Sequence, residues 1–365
     1  MNRNIIAVVV VIIVIVAALA GYLYFSGRQS TMQSTSTQVS SMSQTSTISK
    51  GLLVISIADA YKGEADSLGM AFQNATGVSY TVYSGGSFEV AEKIALGTDN
   101  TTVFLSIADS AYYPSYMGND SPGWAIGLVT DQLVIAYSNQ SLSNPEAATI
   151  IKLFKEAEAT NSSKLFYYAF GNLTSGEVKV GISNPLTDPA GFRAWLALEI
   201  AGYLYADNES YFADRMLANQ GNVTASNAAE LVPSLETGQI QFLFIYKSAA
   251  LAKGLGYIPL PPQMNFGNVS YASFYSKFTY FAGGKTFRGG PIILWISVPK
   301  NTNNEALAFQ FVNFTLSHLN ILASYGLSPL SKPILEVWVP QNQLPPFVQT
   351  LIKDNEVQVV TVNPS

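Results

Sequence analysis

No cysteine occurs in the 365 residues, which excludes disulfides, thiolate metal sites, a cysteine nucleophile and a thioether lipid anchor. Histidine is almost as scarce. The one copy, His318, lies in the helical pattern FTLSHLNIL, where packing or surface display is its expected role. Without metal-ligand spacing or a triad, and with no carboxylate pair that stands apart, the chain reads as a binding protein rather than an enzyme, with no cofactor and no metal. Charge is sparse too. Only 12% of residues are charged, for a net charge of −5 and a pI near 5.0. Lys and Arg form no basic stripe, which argues against a nucleic-acid partner.

What the chain does have is apolar surface: 48% of residues are hydrophobic, enough for two ordinary cores. Residues 5–25, IIAVVVVIIVIVAALAGYLYF, run without a charge and are long enough to cross a hydrocarbon core of about 30 Å. A retained anchor is favoured over a cleaved signal peptide ending near Ala18-Leu19-Ala20, because the run continues through the interfacial aromatics Tyr22 and Tyr24. Residues 29–50 are almost all Ser, Thr, Gln and Met, a composition that reads as a flexible stalk. Ten Asn-x-Ser/Thr sequons follow, at Asn74, Asn100, Asn119, Asn139, Asn161, Asn172, Asn208, Asn222, Asn268 and Asn313. They point to a glycosylated body outside the cell.

Beyond the stalk, β-rich runs alternate with helical patterns. Strands are expected at 52–58, 78–85, 103–109, 128–138, 239–246 and 291–299. Helices are expected at 63–77, 87–97, 145–157, 189–205 and 304–326, with a Pro-rich tail after them. The alternation argues for βαβ units with parallel pairing, and the fold expected is two α/β lobes, each a mixed sheet flanked by helices. Strands 128–138 and 291–299 are the expected crossings, giving one lobe from 51–136 with 292–365 and a second from 137–291. A cleft between lobes is then the default solute site.

Several turns feed directly into helices, where free N–H groups and the positive end of a helix dipole can meet a compact anion. In GGSFEVAEK, Ser87 is the expected N-cap after Gly85 and Gly86. In TASNAAELVPSLETG, Ser226 or Asn227 is the expected cap, exposing the N–H of Ala228. In DPAGFRAW, Pro189 suits the first helical position and Asp188 the cap, with Ala190 and Gly191 leaving the backbone approachable; the run that follows reads as amphipathic. Tyr246 ends a strand in FIYKSAA, as a phenolic donor into a cleft or a buried sheet tyrosine.

These residues fall in stretches that resemble a family. GISNPLTDPAGFRA is similar to the G-F-S-N-P-x-x-D-P-x-G-Y-R segment of the archaeal molybdate/tungstate-binding proteins, solute-binding components of ABC importers. SGGSFEVAEK, SIADSAYYP, FLFIYKSAALAKGLGYIPLP and GGPIILWISVPKNTNNEALAFQFVNF extend the resemblance over about residues 51–335. It implies a type II periplasmic-binding-protein fold whose two lobes close on one oxyanion, molybdate or tungstate before others. It also implies permease and ATPase partners for a monomeric receptor tethered by an N-terminal membrane helix. By the resemblance, Ser87 supplies a hydroxyl and N–H, Ala108, Ala190 and Ala228 supply N–H groups, Tyr246 a phenol, and Asp188 a carboxylate near the metal of the bound oxyanion. The chain departs from the family twice. Ile245 stands where a second carboxylate is expected, and Asp59-Ala60 replaces a Gly-Ser pair, setting a negative charge beside the anion. A different small solute that uses Asp59 and Asp188 as acceptors, or an envelope glycoprotein with a silent cleft, are the other readings.

Overall fold

The computed structural model describes residues 51–364. The expected membrane segment 1–28 and stalk 29–50 lie outside the described residues, among which no helix is long and apolar enough to cross a membrane.

Fourteen strands are described. β1 (Leu53–Ala58), β2 (Tyr80–Gly85), β3 (Val103–Ser106) and β4 (Trp124–Thr130) precede β5 (Leu133–Tyr137), β6 (Val180–Gly181), β7 (Asn222–Val223), β8 (Phe242–Tyr246) and β9 (Gly256–Pro259). The hairpin β10 (Thr279–Ala282) and β11 (Lys285–Arg288) is followed by β12 (Ile293–Ser297), β13 (Ser328–Val337) and β14 (Gln358–Thr361). A seven-stranded sheet has the order β14-β13-β4-β12-β3-β1-β2, and a five-stranded sheet the order β7-β6-β8-β5-β9. Both are mixed. β1 runs parallel to β2 and β3, while β12 is antiparallel to β3 and β4. In β1 all six residues are buried, as its unbroken branched apolar run requires of a strand covered on both faces. We refer to each sheet with its helices as a lobe.

The expected strand 128–138 is in fact two strands in different sheets. β4 ends at Thr130 and β5 begins at Leu133, so the chain leaves the first lobe at Asp131–Gln132 rather than after residue 136. Asp131 is the reason the run breaks there. It is 4% exposed, and its carboxylate accepts hydrogen bonds from Tyr61 Oη at 2.8 Å, from the Gln132 N–H at 2.7 Å and from the Ser248 hydroxyl. One buried carboxylate thus ties the first lobe to the second at their crossing. The return crossing, just before β12, touches it: Asp131 N donates to Ile292 O at 3.2 Å.

Helices α1 (Lys62–Thr76) and α2 (Ser87–Ala95) join β1 to β2 and β2 to β3. In the second lobe come α3 (Pro145–Thr160), α4 (Ser163–Leu173), α5 (Pro189–Tyr205) and α6 (Lys247–Ala252). The expected helix 304–326 is divided into α7 (Glu305–Ser317) and α8 (Leu319–Ala323). His318 is the joint: its backbone leaves the helical region at φ −128°, and its ring stacks on Phe314 at 3.9 Å. The tail folds back as expected, through β13 and β14 at one edge of the first sheet. Helix α5 is not amphipathic. Residues 190–198 are all buried, which the sequence allows because Arg193 is the only charge in that stretch.

Glu64 on α1 is 2% exposed and its Oε1 has no hydrogen-bond partner. Burial, with a smaller contribution from Asp131, pushes its carboxyl from 4.5 up to about 7. The folded protein therefore holds a proton that the unfolded chain releases, so this group's contribution is present below about pH 4.5 and is lost as pH rises through about 7, on the order of 3 kcal/mol in all. Melting curves between those limits are expected to fall with rising pH, and to fall less in Glu64→Gln. Equal slopes in the two proteins would refute the assignment. Glu199 is raised in the same direction, to about 7, so some slope survives in the variant.

Candidate functional site

The carboxyl ends of β1, β2, β3 and β8 point at the gap between the lobes, the end of an α/β sheet where ligands gather. β1 delivers Ala58, Asp59 and Ala60; β2 delivers Gly85 and Gly86; β3 leads to Ile107; β8 ends at Tyr246. From the second lobe come Asp188 and Ala190 at the mouth of α5, and the turn Asn227–Ala229. Together they line a cavity of about 10 Å3. That is the room of about one water. The lobes are nearly shut.

Many of the expected donors already have acceptors. Asp188 caps α5, its Oδ1 accepting the Ala190 N–H at 3.1 Å. Its Oδ2 accepts the Ala228 N–H at 2.9 Å, so one carboxylate joins two of the proposed anion-binding turns. Burial raises the Asp188 carboxyl above the usual range, and these two N–H groups oppose the shift. The Ala108 N–H bonds Ser106 Oγ at 3.1 Å. Ser87 is the first residue of α2 rather than its cap, since Gly86 holds the cap position without a side chain. The Ser87 hydroxyl accepts the Ile107 N–H at 3.3 Å. The next two N–H groups of α2, from Phe88 and Glu89, both aim at the carbonyl of Thr187 in the opposite lobe, at 3.2 and 3.5 Å. A backbone carbonyl thus sits where the helix dipole favours negative charge.

Arg193 supplies the site's positive charge. It is 4% exposed; Nη1 donates to Tyr246 Oη at 2.7 Å, and Nη2 donates across the gap to Ile107 O at 3.0 Å. Its Nε has no partner, and none of the three ion pairs among the described residues includes it. A guanidinium only donates, so Tyr246 must accept from it and turn its own proton elsewhere. Tyr246 lines the cavity, which makes that hydroxyl a donor to whatever enters. Burial pushes the phenol well above its ordinary value, so the proton stays.

The lobes also meet through aromatic rings. Phe88 stacks on Tyr116 at 4.5 Å in the first lobe, and Phe287 of the β10–β11 hairpin stacks on Phe192 of α5 at 5.1 Å, with Phe88 and Phe287 5.7 Å apart. The hairpin turns at Gly283 and Gly284, with φ of +56° and +78°, as a two-residue hairpin turn needs. Lys285 reaches back over Tyr116, 3.7 Å from the ring centroid, and lies 3.9 Å from Glu92.

Of the eight residues singled out in the sequence, Asp59, Ala60, Asp188, Ala190, Ala228 and Tyr246 share one wall, while Ser87 and Ala108 sit one residue behind Gly86 and Ile107, which do reach it. Ile245 is buried in β8 opposite Val134 and is not on the wall, so the wall's carboxylates are Asp59 and Asp188. Among the described residues Asp59 meets neither Lys62 nor any other cation in an ion pair; Ser84 donates to its Oδ1 at 2.6 Å. Sequence reasoning passed over Arg193 and the Thr187 carbonyl. The first had a signal, a lone charge in an apolar helix; the second, a backbone atom, had none.

Two lobes of mixed sheet and helix about a small cavity define an α/β periplasmic-binding-protein-like body. Residues 53–327 match the sequence profile of the bacterial extracellular solute-binding proteins, and the chain belongs to that family, as a solute-binding protein of the ABC-transporter type. Its relatives include an uncharacterized solute-binding protein of Sulfurisphaera tokodaii, 36% identical over 293 residues that cover 79% of this chain and 77% of the relative. The Azotobacter vinelandii periplasmic molybdate-binding protein superposes with a TM-score of 0.52 at 17% identity, covering 75% of this chain and 98% of its own. The sulfate-binding protein SubI of Mycobacterium tuberculosis gives 0.55 at 13%, covering 85% and 94%. Likeness at such identities concerns the fold. The family is one of binding proteins, not enzymes.

Proposed function

We propose that the chain is the extracellular receptor of an ABC importer, capturing one small oxyanion between the lobes of a type II periplasmic-binding-protein fold and passing it to the permease that the ATPase subunits drive. It acts as a monomer tethered to the cell membrane through segment 1–28, with the stalk 29–50 giving it reach. The observation that carries this reading is the convergence of four strand ends and the mouths of α2 and α5 on one nearly closed cavity backed by a buried guanidinium. The Tyr246 hydroxyl, held by Arg193, replaces part of the solute's hydration, and closure strengthens that bond by excluding water. The stretch GISNPLTDPAGFRA places molybdate or tungstate first among the solutes to try. Nine of the ten sequon asparagines are exposed and Asn222 is half-buried, which suits a body glycosylated outside the cell.

The test is calorimetric titration of the full-length chain with molybdate, tungstate, sulfate and phosphate. Saturable heat with unit stoichiometry is expected from at least one of them. Silence from all four would defeat the proposal.

A further inference from the structure

The cavity holds an acceptor that no group among the described residues satisfies. Asp59 ends β1 and opens the turn Asp59–Tyr61 on the cavity wall. Its Oδ1 takes the Ser84 hydroxyl at 2.6 Å, which fixes the carboxylate's direction. Its Oδ2 receives no hydrogen bond among the described residues. The other charged groups on or behind the wall are engaged elsewhere. Asp188 is held by the N–H groups of Ala190 and Ala228, and the Arg193 guanidinium by Tyr246 Oη and Ile107 O. An ionised carboxylate has lone pairs and no proton to offer, so the entrant facing Asp59 must itself donate.

We infer that Asp59 is the specificity-determining acceptor of the site, selecting an oxyanion that keeps a hydrogen near neutral pH, such as phosphate or arsenate, over fully ionised sulfate, molybdate or tungstate. This rests on the oxyanion reading above and narrows it. One tetrahedral solute with a single O–H satisfies both sides of the cavity. Its hydroxyl donates to Asp59 Oδ2, and its bare oxygens accept from the Tyr246 hydroxyl that Arg193 turns inward. A solute with bare oxygens alone brings lone pairs against lone pairs at Asp59, with no shared proton between the two charged groups. Discrimination by a donor that is present or missing is steep, because the wrong solute, once the lobes shut on it, leaves the half-buried Asp59 unpaired. Ser84 is the positioning residue: its hydroxyl occupies Oδ1 and leaves Oδ2 for the solute.

The experiment titrates full-length wild type, Asp59→Asn and Ser84→Ala with phosphate, arsenate, sulfate and molybdate near neutral pH, with a melting curve for each protein. Wild type is expected to bind phosphate and arsenate at least about 10-fold more tightly than sulfate and molybdate. Asp59→Asn, whose amide also donates, is expected to reverse that order by weakening the first pair and strengthening the second. Ser84→Ala narrows the ratio without reversing it. A merely structural Asp59 would weaken every anion alike, so an unchanged ratio in Asp59→Asn overturns the inference. So does a wild type that prefers sulfate or molybdate, an outcome that leaves the oxyanion receptor itself standing. No binding of any anion sinks both.

Discussion

Arg193→Met is expected to weaken solute binding about 100-fold, or about 2.7 kcal/mol, while the melting temperature holds or rises. The two halves of that expectation have separate causes. A guanidinium 4% exposed, with no carboxylate among the described residues in ion-pair range, is held away from water at a cost of several kcal/mol, and an apolar side chain of similar length in its place often stabilises a fold. Binding loses in the same step. Without Nη1, the Tyr246 hydroxyl is free to rotate its proton away from the cavity. The positive charge behind the solute is gone, and the bond to Ile107 O that spans the lobes is broken. Calorimetry and a melting curve on one preparation separate the effects. If affinity and melting temperature fall together, Arg193 is a structural clamp and its role toward the solute is refuted. Arg193→Lys keeps the charge without the fork, and its affinity is expected to lie between the two.

The second large effect comes from one added methyl group. Gly86 belongs to the first lobe and Thr187 to the second, and a Cβ on Gly86 would lie 2.2 Å from the Thr187 carbonyl oxygen and 2.8 Å from its carbon. Neither backbone can yield easily. Thr187 is held by its N–H to Asn184 O at 3.1 Å and by its hydroxyl to Ser226 O, while Gly86 is the cap of α2. Gly86 itself has φ −61° and ψ 141°, ordinary for alanine, so Gly86→Ala carries no penalty of its own backbone conformation. The strain exists only when the lobes meet. Gly86→Ala is expected to melt like wild type yet fail to close. Small-angle X-ray scattering should show wild type contracting on addition of saturating solute and the variant not, with affinity down about 100-fold. Gly171→Ala, in α4 with nothing within 4 Å of the added carbon, is the control. Normal contraction of Gly86→Ala would show that the lobes shut some other way.

The limits of the sequence reading have physical causes. The alternation of branched apolar runs with helical periods located β1 through β3 and helices α1 and α2, because a parallel sheet buried on both faces leaves that imprint. Pro189 and Asp188 at the mouth of α5 were readable for an equally local reason, since both satisfy the first turn of a helix from within their own segment. The division between β4 and β5 was not readable. The run is apolar on either side of Asp131, as both strands are buried, and what ends the first strand is a carboxylate satisfied by Tyr61 and Ser248, distant residues that no local pattern names. β13 was hidden by Pro329 and Pro333, around which its pairing with β4 shifts register. Within the site, side chains at element ends were found and their partners were not. That Asp188 takes the Ala228 N–H, 40 residues on, is a fact of the fold.

The meeting of the Phe88 and Glu89 N–H groups with the Thr187 carbonyl is peptide against peptide. Such a clasp is indifferent to the identity of the side chains around it, apart from the bare Gly86 that lets it engage. Recognition, in the function proposed, falls to replaceable groups such as Asp59 and Tyr246. A lineage carrying this clamshell is therefore free to exchange one nutrient for another by point substitution at the wall, while the snap that announces a loaded receptor to the transporter passes on unaltered.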